Sequence, residues 1–245
     1  MKKYQLTGIK INHRDITLSR IEALESFTTV CGHKVNAGDL GGWIETELNL
    51  SQDGRAWVSD EAKVFDDARV SDNAWVFGNA EVYDEAKVFY YARVYDNAKV
   101  GDKAWVYGSA VVCDDAEVYG NTDVCGDSWV SGNVKLCGDT KLCGDADVFS
   151  LSHVLNVTSI GEDGNSCTFF RTKAKGIGVA FKYEYHSLEA FLTLISGWDS
   201  EYKAPAEAIV KDVEAHIELT TTGGLEIRHK EAITKFIANW LPVGR

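Results

Sequence analysis

The 245-residue sequence predicts a mainly β protein: a solenoid of short stacked strands followed by a small α+β domain. Three observations carry this. Val or Leu recurs at every sixth position from Val58 to Val148, sixteen times, without an insertion. A small residue stands two places before each of them: Ala in eleven successive units from Ala56 to Ala116, then Thr122, Ser128, Val134, Thr140 and Ala146. Pairs such as Asp-Asn, Gly-Asn, Asp-Glu and Gly-Asp fill the intervals, and these are turn formers.

Each unit reads small–x–Val–x–turn–turn. The small residue and the Val alternate with x, so both face one side of a short strand. One such strand cannot bury that face alone; a stack of coils can. Residues 1–55 precede the repeats as an entry or cap segment, residues 56–150 are the repeats, and residues 151–245 form the C-terminal α+β domain. In the first segment "YQLTGIKIN" alternates as a strand does, and "RIEALESF" suits helix or strand equally. The glycines of "NAGDLGGWIETELNLS" suggest tight turns, with Trp43 and Ile44 closing the bottom of the core. After Phe149, "HVLNVTSIG", "SCTFFRTKA" and "IGVAFKYEY" read as three strands joined by "EDGN" and "KG". Ser187 is placed to cap a helix whose face carries Leu188, Phe191, Leu192 and Ile195. Pro205 suits the first turn of a second helix striped by Ile209, Val210, Val213 and Ile217. A third stripe follows at Ile233, Phe236, Ile237 and Trp240.

The repeat resembles the hexapeptide repeat of left-handed parallel β-helices. That resemblance implies a triangular coil of three hexapeptides, so residues eighteen apart stack and the outward positions sort into three walls. The first wall carries Lys63, Glu81, Lys99, Glu117 and Lys135, an alternating charge ladder that reads as a solvated face. The second carries Arg69, Lys87, Trp105, Asp123 and Lys141, interleaved with Ser71, Phe89, Tyr107, Cys125 and Cys143. It is mixed and points to nothing specific, beyond placing Cys125 and Cys143 on adjacent coils as neighbouring thiols. The third carries Trp57, Trp75, Arg93, Val111 and Trp129, interleaved with Phe77, Tyr95, Cys113 and Phe149. A long apolar strip at outward positions is expected to be an interface, filled either by the chain's own terminal segments or by another subunit or partner. One corner stacks Asp66-Asp67, Asp84-Glu85 and Asp102-Lys103. Tyr90-Tyr91 breaks the turn pattern and makes an aromatic corner, a candidate contact point.

The formal net charge of −12 argues against a nucleic-acid backbone or an anionic membrane as partner. No apolar run approaches the ~18 residues of a membrane span, and the N-terminus lacks a signal-peptide pattern. The expected location is the cytoplasm of a bacterial host, with the six cysteines reduced. No CxxC pair suggests zinc, and neither a cofactor nor a metal is expected.

Two segments carry a further resemblance. "GDLGGWIETELNLSQDGRAWVSDEAKVF" and "VTSIGEDGNSCTFFRTKAKGIGVAFKYEYHSLEAFLTLI" are similar to the entry segment and the cap of hexapeptide-repeat proteins of bacteriophages and prophages. The best-known hexapeptide-repeat proteins are acyltransferases that use a His base in a coil or an inserted loop. Here the coils contain neither, and only His153 stands near their end. The resemblance implies a phage setting; with no catalytic motif in the sequence, the expectation is a non-enzymatic binding protein that inhibits or adapts a host protein complex, such as an antiviral defence system, and that assembles as a homodimer or trimer. The alternatives are a sponge for a nucleotide immune signal, with Arg171, Lys173 and Lys175 as its one tight basic cluster, and an acyltransferase.

Overall fold

The computed structural model describes residues 2–217. Each hexapeptide forms one two-residue strand, from β6 (Trp57–Val58) to β21 (Asp147–Val148). Strands eighteen residues apart pair in parallel. Glu81 lies between Lys63 and Lys99, Lys87 between Arg69 and Trp105, and Arg93 between Trp75 and Val111. The result is a parallel β-solenoid of about six turns with three walls. Its core is the column of Ala and Val that the repeat supplies, buried from Ala56 and Val58 to Ala146 and Val148.

The corners follow one rule. Every sixth residue from Gly54 to Gly144 has a positive φ, between 51° and 72°. Fifteen of these sixteen positions hold Gly or Asp, and Tyr90 is the exception. Gly adopts the left-handed conformation without a Cβ clash, and Asp tolerates it better than most residues. The Asp side chains do more. Asp66 Oδ2 accepts the backbone N–H of Asp84 at 3.3 Å, Asp84 that of Asp102 at 3.0 Å, and Asp102 that of Gly120 at 2.9 Å. A corner aspartate therefore ties each coil to the next.

The solenoid begins earlier than the hexads suggest. In β5 (Leu40–Ile44), Trp43 and Ile44 pair with Lys63 and Val64, and Leu50 bridges to Val70. Gly41 and Gly42 are not turn residues. They lie within β5, where a Cβ on Gly41 would meet the Val58 carbonyl at 2.6 Å and one on Gly42 the Ala62 carbonyl at 2.7 Å. Ahead of β5, β1 (Tyr4–His13) and β2 (Ile16–Ala23) form an antiparallel hairpin that extends the first wall's sheet, which settles "RIEALESF" as mostly strand. The hairpin tip folds over that wall's outer face: Leu18, Trp43 and Phe65 cluster there with Ile11, Ile16 and Tyr83.

The C-terminal sheet caps the other end. Its order is β22 (Val154–Ile160), β23 (Asn165–Arg171), β24 (Ile177–Phe181) and β25 (Glu184–Ser187). "IGVAFKYEY" is thus two strands, because Lys182 and Tyr183 both take positive φ in a tight turn. Phe170 and Ala180 join the solenoid core, so the cap is continuous with the coils. Helix α1 (Leu188–Ser196) starts with Ser187 Oγ accepting the Ala190 N–H at 3.2 Å. It buries Phe191 and Ile195, but Leu192 is exposed. Helix α2 (Ser200–His216) starts ahead of Pro205, which falls inside it and removes one helical N–H. Ala206, Val210, Val213 and Ile217 are its buried stripe. The stripe at Ile233 to Trp240 lies outside the described residues. Among the described residues no helix is long and apolar enough to cross a membrane.

Candidate functional site

The third wall, expected to be an interface, is largely filled by the chain itself. Trp57 and Trp75 are 1% and 0% exposed. A small hairpin, β3 (Phe27–Thr28) with β4 (Lys34–Val35), lies on them. Phe27 meets Trp57 edge-on at 5.4 Å, and His33 stacks on Trp75 at 5.1 Å. Trp75 stacks in turn on Phe77 at 4.0 Å, and Phe77 on Tyr95 at 4.7 Å. Higher up, burial first and then neighbouring Asp114 push the Cys113 thiol up to about 12, while Tyr95 and Trp129 hydrogen-bond it. At the top, Arg171 pairs with Asp147, both fully buried, and lies over Phe149 at 5.1 Å. Arg93, Tyr95, Trp129 and Phe149 remain half-buried. Of the two occupants the sequence left open, the chain's own segments take the lower wall and its rim at the top.

The acidic corner also has an internal role. Asp66, Asp84 and Asp102 are the backbone ties described above, and Asp66 N–H in turn donates to Glu45 at 2.8 Å. Asp67 and Glu85 are exposed neighbours at the same corner. On the first wall the charge ladder is partly taken up as well. Glu117 pairs with Lys135 at 2.6 Å, whereas Glu81 pairs with Arg14 at 2.7 Å and His13 at 3.2 Å from the N-terminal hairpin.

The second wall is different. Among the described residues, five large aromatic side chains are exposed: Tyr90, Tyr91, Trp105, Tyr183 and Tyr185. Tyr90, Tyr91 and Trp105 lie on this wall or on the corner that follows it, and Tyr183 and Tyr185, from the β24–β25 hairpin of the cap, reach it at Lys141 and Asp145. Tyr90 and Tyr91 are 52% and 53% exposed, side by side at that corner. Phe89, one place earlier, stacks on Tyr107 at 5.0 Å and meets Trp105 at 6.1 Å. Cations interleave. Lys87 Nζ sits 4.7 Å from the Trp105 ring centre, and Lys141 Nζ sits 3.5 Å from that of Tyr183. A cation over an exposed ring contributes about 0.5–1 kcal/mol, which helps to hold the ring in place.

Beside the aromatics the corner hollows out. Gly108, Gly126 and Gly144 stack with Ser109, Asp127 and Asp145 to floor a groove of about 570 Å³. Glycine is needed at Gly126 twice over: its φ is +67°, and a Cβ would meet the Gly144 carbonyl oxygen at 2.6 Å. Tyr185 ends the groove. Its ring lies where a Gly144 Cβ would touch it at 2.9 Å, and its hydroxyl donates to Asp145 at 3.2 Å. Tyr90 and Tyr91 stand one coil below Gly108, the Tyr91 N–H donating to the Gly108 carbonyl at 2.8 Å. The site is thus a rigid strip of rings and cations beside a groove with a backbone floor. It offers stacking faces, cationic contacts and hydrogen-bond acceptors.

Two members of the basic cluster, and His153, have partners within the chain. Arg171 faces Asp147, and Lys173 Nζ donates to the Asp127 carbonyl. His153 is buried and its Nδ1 accepts the Phe149 N–H at 3.3 Å. Among the described residues no three His, Cys, Asp or Glu side chains converge as metal ligands would. Only the Tyr90-Tyr91 corner of this site was legible in the sequence. For the rest the signal was present but diluted: Phe89, Trp105 and Tyr107 alternate with charges on a wall that looked mixed. Neither a family model nor a curated protein matches the chain.

Proposed function

We propose that the chain is a non-catalytic binding protein of the bacteriophage hexapeptide-repeat type, which engages a host protein complex through its second wall. The observation that carries this is the gathering, among the described residues, of every exposed large aromatic onto one wall and its corner. Tyr, Trp and Arg are the residue types that dominate protein–protein contact energies, and two χ angles per ring cost little entropy on binding. Arg69, Lys87 and Lys141 rim the strip, so the partner surface carries carboxylates.

The test compares immobilised wild-type protein with a Trp105→Ala/Tyr91→Ala double variant in bacterial lysate, read by mass spectrometry and native mass. Capture of one defined host complex by the wild type, lost in the variant, supports the reading. Micromolar calorimetric binding of acetyl-CoA, or of a cyclic dinucleotide, overturns it in favour of acyl transfer or signal sequestration. A native mass that falls to the monomer only in the variant assigns the wall to self-association instead.

A further inference from the structure

We propose that Cys125 and Cys143 form an oxidant-sensitive dithiol that a hydroperoxide converts into an intrachain disulfide. The inference rests on the coils and stands whether or not the second wall binds a partner.

Strands β17 (Asp123–Val124) and β20 (Lys141–Leu142) pair in parallel with Val124 opposite Leu142. One place further on, Cys125 and Cys143 occupy the same register position, and the Cys125 N–H donates to the Leu142 carbonyl at 2.8 Å. Paired strands lie ~4.8 Å apart, inside the ~4.4–6.8 Å Cα separation that a disulfide spans. Both thiols are free and half-buried, so a small oxidant reaches them. Among the described cysteines no other two share a register pair: Cys167 faces Val157 and Phe181, and Cys113 follows strands that pair with Arg93 and Trp129.

The surroundings favour chemistry at Cys125. Its thiol is lowered to about 7, first by the hydrogen bond from Cys143, against the opposing effect of burial and with further help from Tyr107. Cys143 is raised, first by the same hydrogen bond and then by burial, so it holds its proton while Cys125 ionises. Burial raises Cys113 and Cys167 to about 12, which keeps them inert.

The step balances with a hydroperoxide as the two-electron oxidant. The Cys125 thiolate attacks the peroxide, an S–O bond forms, the O–O bond breaks, and the departing oxygen takes up a proton to leave as water or an alcohol. Cys143 then attacks the sulfenic sulfur. The S–S bond forms, the S–O bond breaks, and the Cys143 proton leaves with the second water. The product ties the two coils on which the C-terminal sheet rests, where the Lys141 N–H donates to Thr168 at 3.1 Å.

The full chain is treated at pH 7 with equimolar hydrogen peroxide and followed by intact mass and a non-reducing tryptic map. The expected result is the loss of two hydrogens and a Cys125–Cys143 cross-linked peptide, reversed by dithiothreitol. At pH 7 a thiol at about 7 is about half ionised against about 3% for an ordinary one. Alkylation at Cys125 should therefore outpace that at Cys113 and Cys167. In Cys143→Ser, Cys125 should stop at a dimedone-trappable sulfenic acid. Oxidation of Cys137 ahead of Cys125 overturns the proposal, as does oxidation of wild-type Cys125 without a link to Cys143; both are read on the wild type and need no variant to fold.

Discussion

Replacing Tyr90 with Asp should stabilise the fold and weaken the contact surface at once. Tyr90 is the one residue of sixteen at the left-handed corner positions that is neither Gly nor Asp, with φ of 57°. A non-Gly residue there costs roughly 1–2 kcal/mol, less for Asp than for a bulky side chain. On the lower side the corner is already tied, since the Tyr90 N–H donates to Asp72 at 3.1 Å. Upward, however, a phenol cannot continue the ladder to the Gly108 N–H as a carboxylate does. The carboxylate introduced by Tyr90→Asp would supply that acceptor, a gain of ~0.5–1.5 kcal/mol. The loss is the tilted contact of Tyr90 with Phe89 at 5.1 Å, made by a ring already half in solvent. It is worth ~0.5–1 kcal/mol. With the relief of backbone strain included, the net expectation is about +1 kcal/mol, or a rise of ~2–4 °C in Tm for a chain of this size. Calorimetry on wild type and variant side by side measures it. Partner capture should fall in the same variant, because strained residues persist where their side chain is needed for contact. A lower Tm would show instead that the Tyr90 ring stabilises the corner more than its backbone strains it.

Three further outcomes follow from the same geometry. Asp84→Ala removes the acceptor of the Asp102 N–H and places a Cβ-bearing residue with no side-chain compensation at φ of 55°; it should cost ~1–2 kcal/mol in urea unfolding, with Asp84→Asn recovering most of it. Arg171→Ala leaves Asp147 buried without its cation and should cost ~3–5 kcal/mol, loosening the cap before the coils in hydrogen exchange. Lys3 is buried with Nζ on the Ala56 carbonyl at 2.8 Å, and burial lowers its ammonium from the usual 10.5 to about 8, against the pull of Asp53 and Glu25. Between those two values the unfolded chain binds more protons, so stability should rise as pH goes from about 8 to 10.5, by at most about 3 kcal/mol. A Lys3→Met variant should lack that rise when denaturation midpoints are compared across the window.

The coils were legible because each one solves the same problem. Ala and Val fill the same triangle at every level, so the six-residue period marks the core, while the resemblance to hexapeptide-repeat β-helices supplies the eighteen-residue register and the three walls. Legibility fails where the repeat breaks. From Leu50 to Val58 the spacing is eight residues, which hides the first turn from a six-residue count although Ile44 and Leu50 already stand in the core. Gly41 and Gly42 look like turn residues in a local reading, and only the closeness of the Val58 and Ala62 carbonyls explains them. The turn at Lys182-Tyr183 carries no Gly or Asn to announce two positive φ values. Helix α2 runs through Pro205 because a single lost N–H is outweighed by the packing of Ala206, Val210 and Val213.

The site was harder to read for a different reason. Outward aromatics are visible in the sequence, but which of them stay exposed depends on where non-repeating segments fold. The N-terminal hairpin of β1 and β2 covers Phe65 and Tyr83 on the first wall, and the β3–β4 hairpin covers Trp57 and Trp75 on the third. Those rings belong to small cores that the chain closes on itself, and they need no partner to explain them. The second wall receives no such cover from the N-terminal segment, and the cap reaches it only by adding two more exposed rings, Tyr183 and Tyr185. Self-packing therefore accounts for Phe65 and Tyr83 on the first wall and Trp57 and Trp75 on the third, and leaves Trp105, Tyr90 and Tyr91 exposed on the second wall and its corner. Tyr90, held at a left-handed corner with its ring half in solvent, costs the isolated chain backbone strain, and the contact proposed for that surface would offset it.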